Sequence, residues 1–281
     1  DDRHLYFVRA KRQLIRLDMA TLQEDVAYTV PEGWVGYGTW VANSACTKMV
    51  GIEIRASDWM PLSDWQKFRE MFFKKPRCRL IRIDLATGER TVILEQQGWL
   101  GHPQYRPFDD STVAYCHEGP HDLIDARMWF IDEDGTNRRC GKPHENGESC
   151  THEFWVPDGS AMIYVSYLKG ETERWICSLD PVTLETLGTA DYGGAYAKIS
   201  AHSRPDEHTG ELMFFDYSLT APYMEYGVIG ADGKLKTKME IPLPGPRLPH
   251  DMAITEHYSI LHDFPLWPDE EALKARRYKV R

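Results

Sequence analysis

His102, His117, His121, His144 and His152 fall in one stretch of the sequence, and Arg127 lies among them with acidic residues nearby. A neutral imidazole titrates close to working pH and can remove a proton, and a guanidinium can neutralise a carboxylate. With flanking carboxylates, such a set suits proton abstraction from a carbon next to a carboxylate group. His117 and His121 lie in CHEGPHD, at the end of the apolar run TVAYC, and Arg127 follows in DLIDARMWF. His152 lies in ESCTHEFWVPDGS, directly ahead of an expected strand. Taken singly, each histidine reads equally as an ordinary hydrogen-bonded or surface residue. A second pair, His202 and His250, stands 48 residues apart, each before a strand-like run. Two imidazoles at the starts of adjacent strands could share one metal ion, and imidazole suits iron or zinc. Each alone reads as a turn histidine.

The scaffold for these residues is legible as a repeat. A short apolar strand, an Asp, a turn and a second strand recur at 14–30, 80–94, 128–140, 175–187 and 226–241. The anchoring aspartates are Asp18, Asp84, Asp134, Asp180 and Asp232, at spacings of 66, 50, 46 and 52. Periods of this size, with several strands in each, are what propeller blades give. The turns DMATLQ, DLATGE and DEDGTN place Asp, Gly and Asn where hairpins need them. An all-β fold is expected, a β-propeller of about six blades' worth of sequence, incomplete or chimeric; a β-sandwich is the alternative. The long first spacing holds an insertion at about 58–75, read as a helix with Ser63 as N-cap and an apolar stripe of Trp65, Phe68 and Phe72. It is expected to pack on a blade face or cover a site mouth. Residues 269–281 begin helix-like, with acids first and bases last, and no closing strand is expected after them.

Composition narrows the function classes. The 281 residues carry a net charge of −10, with 42% hydrophobic and 27% charged residues, which fits a folded globular chain. That charge argues against nonspecific nucleic-acid binding, which needs a basic footprint. A small acidic substrate is compatible with it, because a site can be locally basic. No apolar run approaches the roughly 18 residues that a membrane span needs. The chain starts at Asp1-Asp2-Arg3 without a signal-peptide core, and its six cysteines are scattered with no CxxC pair. A reduced, cytoplasmic setting is expected.

Two resemblances divide the chain. WVGYGTWVANSACTKMVGIEI, WLGHPQYRP, CHEGPHDLIDARMWFIDEDGTN and GESCTHEFWVPDGSAMIYVSYLKG resemble oligogalacturonate lyases, from residue 3 to about 186. That family is a seven-bladed propeller which degrades pectin-derived oligogalacturonates by β-elimination in the bacterial cytoplasm. The resemblance implies His152 as the base that removes the C5 proton of the uronate and Arg127 as the arginine at the substrate. It places His121 and His102 in motifs near that site, as substrate-binding residues. It also implies a manganese ion held by three histidines and a glutamine, in CSHLMSNYDG-like and QVTHPHP-like segments; neither string occurs here. From about 180 to 281, AHSRPDEHTGELMFFDYS and LPHDMAITEHYSILHDFPL resemble carotenoid oxygenases of the lignostilbene dioxygenase type. This second resemblance implies Fe(II) on four histidines, with His202 and His250 as the first two.

The chain is therefore expected to divide into lyase-like blades at 1–186 and oxygenase-like blades at 187–281, joined in the turn SLDPVTLETLG that both families share. Three functions follow as alternatives: a lyase, an iron dioxygenase, and a chimeric or remnant propeller with neither activity. Blades that do not close would present sheet edges that invite self-association.

Overall fold

The computed structural model describes residues 3–145, 147–168, 175–190, 192–193, 200, 202–263, 266–267, 269–274 and 279–280. Its sheets follow one another along the sequence. The first has three strands, β1 (His4–Arg9), β2 (Gln13–Asp18) and β3 (Glu24–Thr29). The second joins β4 (Trp34–Ala42), β5 (Lys48–Arg55), β6 (Arg77–Asp84) and β7 (Arg90–Gln97), with helix α1 (Trp65–Lys74) inserted between β5 and β6. The third runs β8 (Leu100–Arg106), β9 (Asp109–His117), β10 (Met128–Asp132), β11 (Arg139–Cys140). The fourth runs β12 (Glu148–Trp155), β13 (Met162–Leu168), β14 (Trp175–Leu179), β15 (Thr186–Thr189). The fifth runs β16 (Arg204–Asp206), β17 (Glu211–Tyr217), β18 (Met224–Ile229), β19 (Leu235–Glu240). Two two-stranded ladders follow, β20 (Ala253–Ile254) with β21 (Ser259–Ile260), and β22 (Leu266–Trp267) with β23 (Lys279–Val280); helix α2 (Glu270–Lys274) precedes β23. Four-stranded antiparallel meanders in series are propeller blades, and the all-β expectation holds.

All five anchoring aspartates occupy one position in the repeat, the hairpin before a sheet's last strand. Asp18, Asp84 and Asp180 share one turn geometry. In each, Oδ1 accepts backbone N–H groups two and three residues on, at 2.7–3.0 Å. The backbone carbonyl of each accepts the N–H of the residue four on, which is left-handed: Leu22, Gly88 and Leu184 at φ 57°, 72° and 64°. Asp134 and Asp232 build tighter Asp-Gly turns, with Gly135 and Gly233 at φ 87° and 73°.

One local expectation is corrected. The N-cap of α1 is Asp64, not Ser63: Asp64 is extended and its carboxylate accepts the Lys67 N–H at 2.9 Å, while Ser63 only donates to Asp64. A carboxylate is the stronger acceptor for the helix's orphan donors. Within the terminal segment, expected to begin helix-like, Lys279–Val280 also forms a short strand with Leu266–Trp267. Residues 275–278 and 281 of the expected terminal helix lie outside the described residues.

The chain divides into two compact units. The first comprises residues 1–154, 164–175 and 179–187. Its core joins Val50, Ile52, Ile54 and Leu80 to Leu100, Val113, Tyr115 and Ile131, with Met71 of α1 fully buried among them. Phe68 and Phe72 pack on this core, whereas Trp65 is exposed and stacks on Phe68 with ring centroids 5.1 Å apart. The buried line of the helix therefore centres on Met71 rather than on Trp65. The second unit comprises residues 155–163, 176–178 and 188–281, with a core of Met213, Phe215, Val228 and Met252.

Candidate functional site

Within the first unit, Arg127 lies just ahead of β10 and is buried, its side chain 6% exposed. Its Nε donates to Glu153 Oε2 at 3.1 Å and its Nη2 lies 3.4 Å from Glu118 Oε1. Both carboxylates are buried, Glu118 directly after β9 and Glu153 on β12. Buried acids are costly to ionise unless paired. Here burial pushes both upward, but the Arg127 guanidinium outweighs it, aided by His102. Glu118 is held below the usual carboxylate range, and Glu153 is held down to about 2. The thiol of Cys116 donates to Glu153 and stays protonated, pushed far up by burial and then by that carboxylate.

His102 completes the network from the solvent side, with Nε2 2.9 Å from Glu118 Oε1 and its side chain 49% exposed. Partial burial works against its charged form, but the hydrogen bond to Glu118 prevails and raises its pKa. His102 stands in a bulge: the β8–β9 register shifts between Gly101 and Gln104, and His102 has φ 47°. Gly101 is glycine for a direct reason. A Cβ there would stand 2.5–2.9 Å from the side chain of Glu118.

His152 also adopts a left-handed backbone, at φ 56°, and is exposed between buried Thr151 and buried Glu153. Glu153 thus faces inward to Arg127 and His152 outward. Left-handed non-glycine residues on strands are strained and cluster at functional sites. His121 hydrogen-bonds Tyr167 of β13 through Nδ1, and Ser149 donates to its backbone carbonyl. Burial lowers its pKa first and the nearby charge of Arg127 second, so it is neutral.

The remaining two histidines of this stretch do not join the cluster. His144 is structural: Nδ1 donates to the Ile124 carbonyl at 2.8 Å and Nε2 accepts the Cys150 N–H at 3.1 Å. His117 stacks on Trp129 and meets Arg138. Helix α1 reaches the loop that carries Glu118 and His121. The Phe72 ring lies against Gly119, whose added Cβ would meet it at 2.3 Å, and Arg69 Nη1 lies 3.4 Å from Asp122. The sequence reading missed Glu118 and Glu153 as named residues. Their signal was adjacency: each directly follows a histidine.

In the second unit, His202 and His250 do come together, with ring centroids 4.7 Å apart. Asp251 stands beside them, 3.8 Å from His202 Nδ1, but it is engaged by Arg204 and by the Met252 N–H. Among the described residues, no group of three or more His, Cys, Asp or Glu could hold a metal ion. The donors present therefore make up neither the manganese set nor the iron set that the two resemblances imply.

A propeller whose blades bring histidines and an arginine–carboxylate network together is the class that fold and site define. The family model of oligogalacturonate lyases matches residues 1–213, so the chain belongs to the oligogalacturonate lyase family. It is 69% identical over 185 residues to the oligogalacturonate lyase of Dickeya dadantii, a match covering 66% of this chain and 48% of that one. The chain thus spans about half the length of the curated lyases it matches. A solved oligogalacturonate lyase in complex with manganese superposes with a TM-score of 0.75 at 47% identity, covering 94% of this chain and 75% of that chain. The family model of the retinal pigment epithelial membrane protein matches residues 166–279. Over 85 residues the chain is 45% identical to carotenoid 9,10(9',10')-cleavage dioxygenase 1 of Pisum sativum, 30% of this chain and 16% of that one.

Proposed function

We propose that the chain acts by β-elimination on pectin-derived oligogalacturonates, with His152 as base and Arg127 at the uronate carboxylate. The observation that carries this reading is the juxtaposition on β12: exposed, left-handed His152 directly beside Glu153, which locks Arg127 in place. Proton abstraction next to a carboxylate builds negative charge on that carboxylate, and a fixed cation stabilises it. His152 takes the C5 proton, the electron pair forms the C4–C5 double bond, and the C4–O bond breaks. The products are a 4,5-unsaturated uronate and a saccharide whose freed oxygen takes a proton. Nε and Nη2 of Arg127 are spent on Glu153 and Glu118, so the reading gives its Nη1 to the substrate carboxylate. His102 and His121 border the sugar. The test is formation of the 4,5-unsaturated product from digalacturonate, followed by its ultraviolet absorbance. Activity in the native chain that is lost in His152→Ala supports the reading; equal absorbance in both, or none in either, rejects it.

We further read residues 1–186 as lyase-type blades and 187–281 as blades of the second family. The overlap of the two family matches across 166–213 supports a junction in or near the Asp180 turn. The pairing of His202 with His250 gives the second part its own reading, as half of a four-histidine iron site. Six cysteines outside any disulfide fit a reducing compartment, and we place the chain in the cytoplasm. The exposed last strands β15 and β19 fit self-association through sheet edges.

A further inference from the structure

Among the described residues several cations of the first unit form no ion pair, Arg55, Arg138 and Arg139 among them, while others are paired. Arg79, Arg82, Arg90 and Arg127 each pair with a glutamate. Arg138 forms no ion pair among the described residues, yet it is held firmly. Its Nε donates to the hydroxyl of fully buried Tyr115 at 2.7 Å and its Nη2 to Gln96 Oε1 at 2.8 Å. Its guanidinium carbon lies 4.6 Å from the centroid of the Trp129 ring. These contacts draw Gln96 from β7, Tyr115 from β9 and Trp129 from β10, so two adjacent blades fix one guanidinium.

The hydrogen-bond inventory around Arg138 holds more donors than acceptors. Arg138 Nη2 and Gln96 Nε2 both stand 3.3 Å from the same ring nitrogen, Nε2 of His117. That nitrogen has one lone pair, so two donors compete for it. Tyr115 accepts from Arg138, and no acceptor for its own hydroxyl proton is present among the described residues. His117 is kept neutral, its pKa pushed down to about 4 by burial and then by Arg138. It therefore adds no second positive charge.

We propose that Arg138, Gln96 and His117 form an anion site between these two blades, separate from the Arg127 cluster, and that it takes the carboxylate of a uronate. With Nε and Nη2 engaged by Tyr115, Gln96 and His117, Arg138 offers Nη1 to a carboxylate oxygen, and a single fixed cation matches a single negative charge better than a dianion. The carboxylate class follows from the Arg138 geometry. The uronate as its source rests on the proposed function, because an oligogalacturonate carries one carboxylate on every residue and a second site would hold a remote sugar.

The test is a titration of the whole chain, followed by the ring carbon–proton signals of His117. Galacturonate, acetate and inorganic phosphate are added in turn at pH 7. Galacturonate shifts these signals with half-saturation at least tenfold below that of acetate, and phosphate binds no better than acetate. The galacturonate shift persists in His152→Ala and disappears in Arg138→Gln, a variant at an exposed position whose melting curve checks its fold. No shift with any anion, or an undiminished shift in Arg138→Gln, overturns the site. Equal response to acetate and galacturonate overturns the uronate assignment, and tighter phosphate binding overturns the monoanion assignment. Loss of the shift in His152→Ala assigns it to the lyase cluster instead. Failure of the lyase reading alone leaves the acetate response of Arg138 in place.

Discussion

Arg127 is where the residue-scale chemistry concentrates. A guanidinium between two buried carboxylates is stable only if each member is present, because removing one leaves the others buried and unpaired. Glu153→Gln is expected to cost about 3 kcal/mol at pH 7. The folded-state pKa of Glu153 lies near 2, below its ordinary value, so its contribution is present above the ordinary carboxylate range. That contribution is lost as pH falls from about 5 through 2. The stability gap between native chain and Glu153→Gln should therefore shrink on acidification, which denaturant titrations at pH 7 and pH 3 would show. An undiminished gap at pH 3 would mean that the carboxylate's charge is not what stabilises. Gly101→Ala places a methyl group against the Glu118 side chain and is expected to destabilise by about 1–3 kcal/mol and to perturb the His102 ring signals. A neutral effect on both melting and His102 would contradict the contact. At this scale the sequence displayed the histidines and the arginine but not their partners. Glu118 and Glu153 looked like ordinary acids until burial made them obligatory.

The elements explain why the site residues recur at blade intervals. His102 and His152 both lie on the first strand of a sheet, β8 and β12, and both are left-handed. The Asp-anchored hairpin is the repeat's most regular device, and the turn at Asp180, inside the proposed junction, has the same geometry as those at Asp18 and Asp84. That sameness would let a junction fall there without breaking a ladder. Asp180→Ala removes two backbone acceptor contacts and is expected to cost about 1 kcal/mol. Leu22 is 69% exposed at φ 57°, so Leu22→Gly should relieve backbone strain with little lost burial and stabilise by roughly 0.5 kcal/mol. Thermal melts of the two variants should move in opposite directions. Helix α1 and its packing on a blade face were legible from its spacing; the contact of Phe72 with Gly119, which ties the insertion to the loop bearing Glu118, was not, because no local pattern encodes it.

At the scale of the whole molecule, the two units carry different and unequal chemistry. The first holds a complete arginine–carboxylate–histidine network; the second brings two imidazoles together. Two imidazoles alone hold Fe(II) weakly compared with a full first shell. After exposure to Fe(II) and desalting, the chain is expected to retain well under one equivalent of iron, with the same result in His202→Ala. Stoichiometric retention that His202→Ala abolishes would restore the dioxygenase reading for the second unit.

Sequence by itself determined the all-β repeat, the hairpin positions and the inserted helix, whereas His152, expected directly ahead of a strand, lies within β12. The repeat, the hairpins and the helix depend on short-range periodicity and on turn chemistry written within a few residues. Tertiary structure alone decided which of those histidines work together. His102 joined Glu118 and Arg127, His144 went to backbone groups, and His117 went to Arg138. Such pairings depend on which way a strand faces at one residue. Left-handed backbone at His102 and His152 sets that direction, and strict strand alternation cannot foretell it.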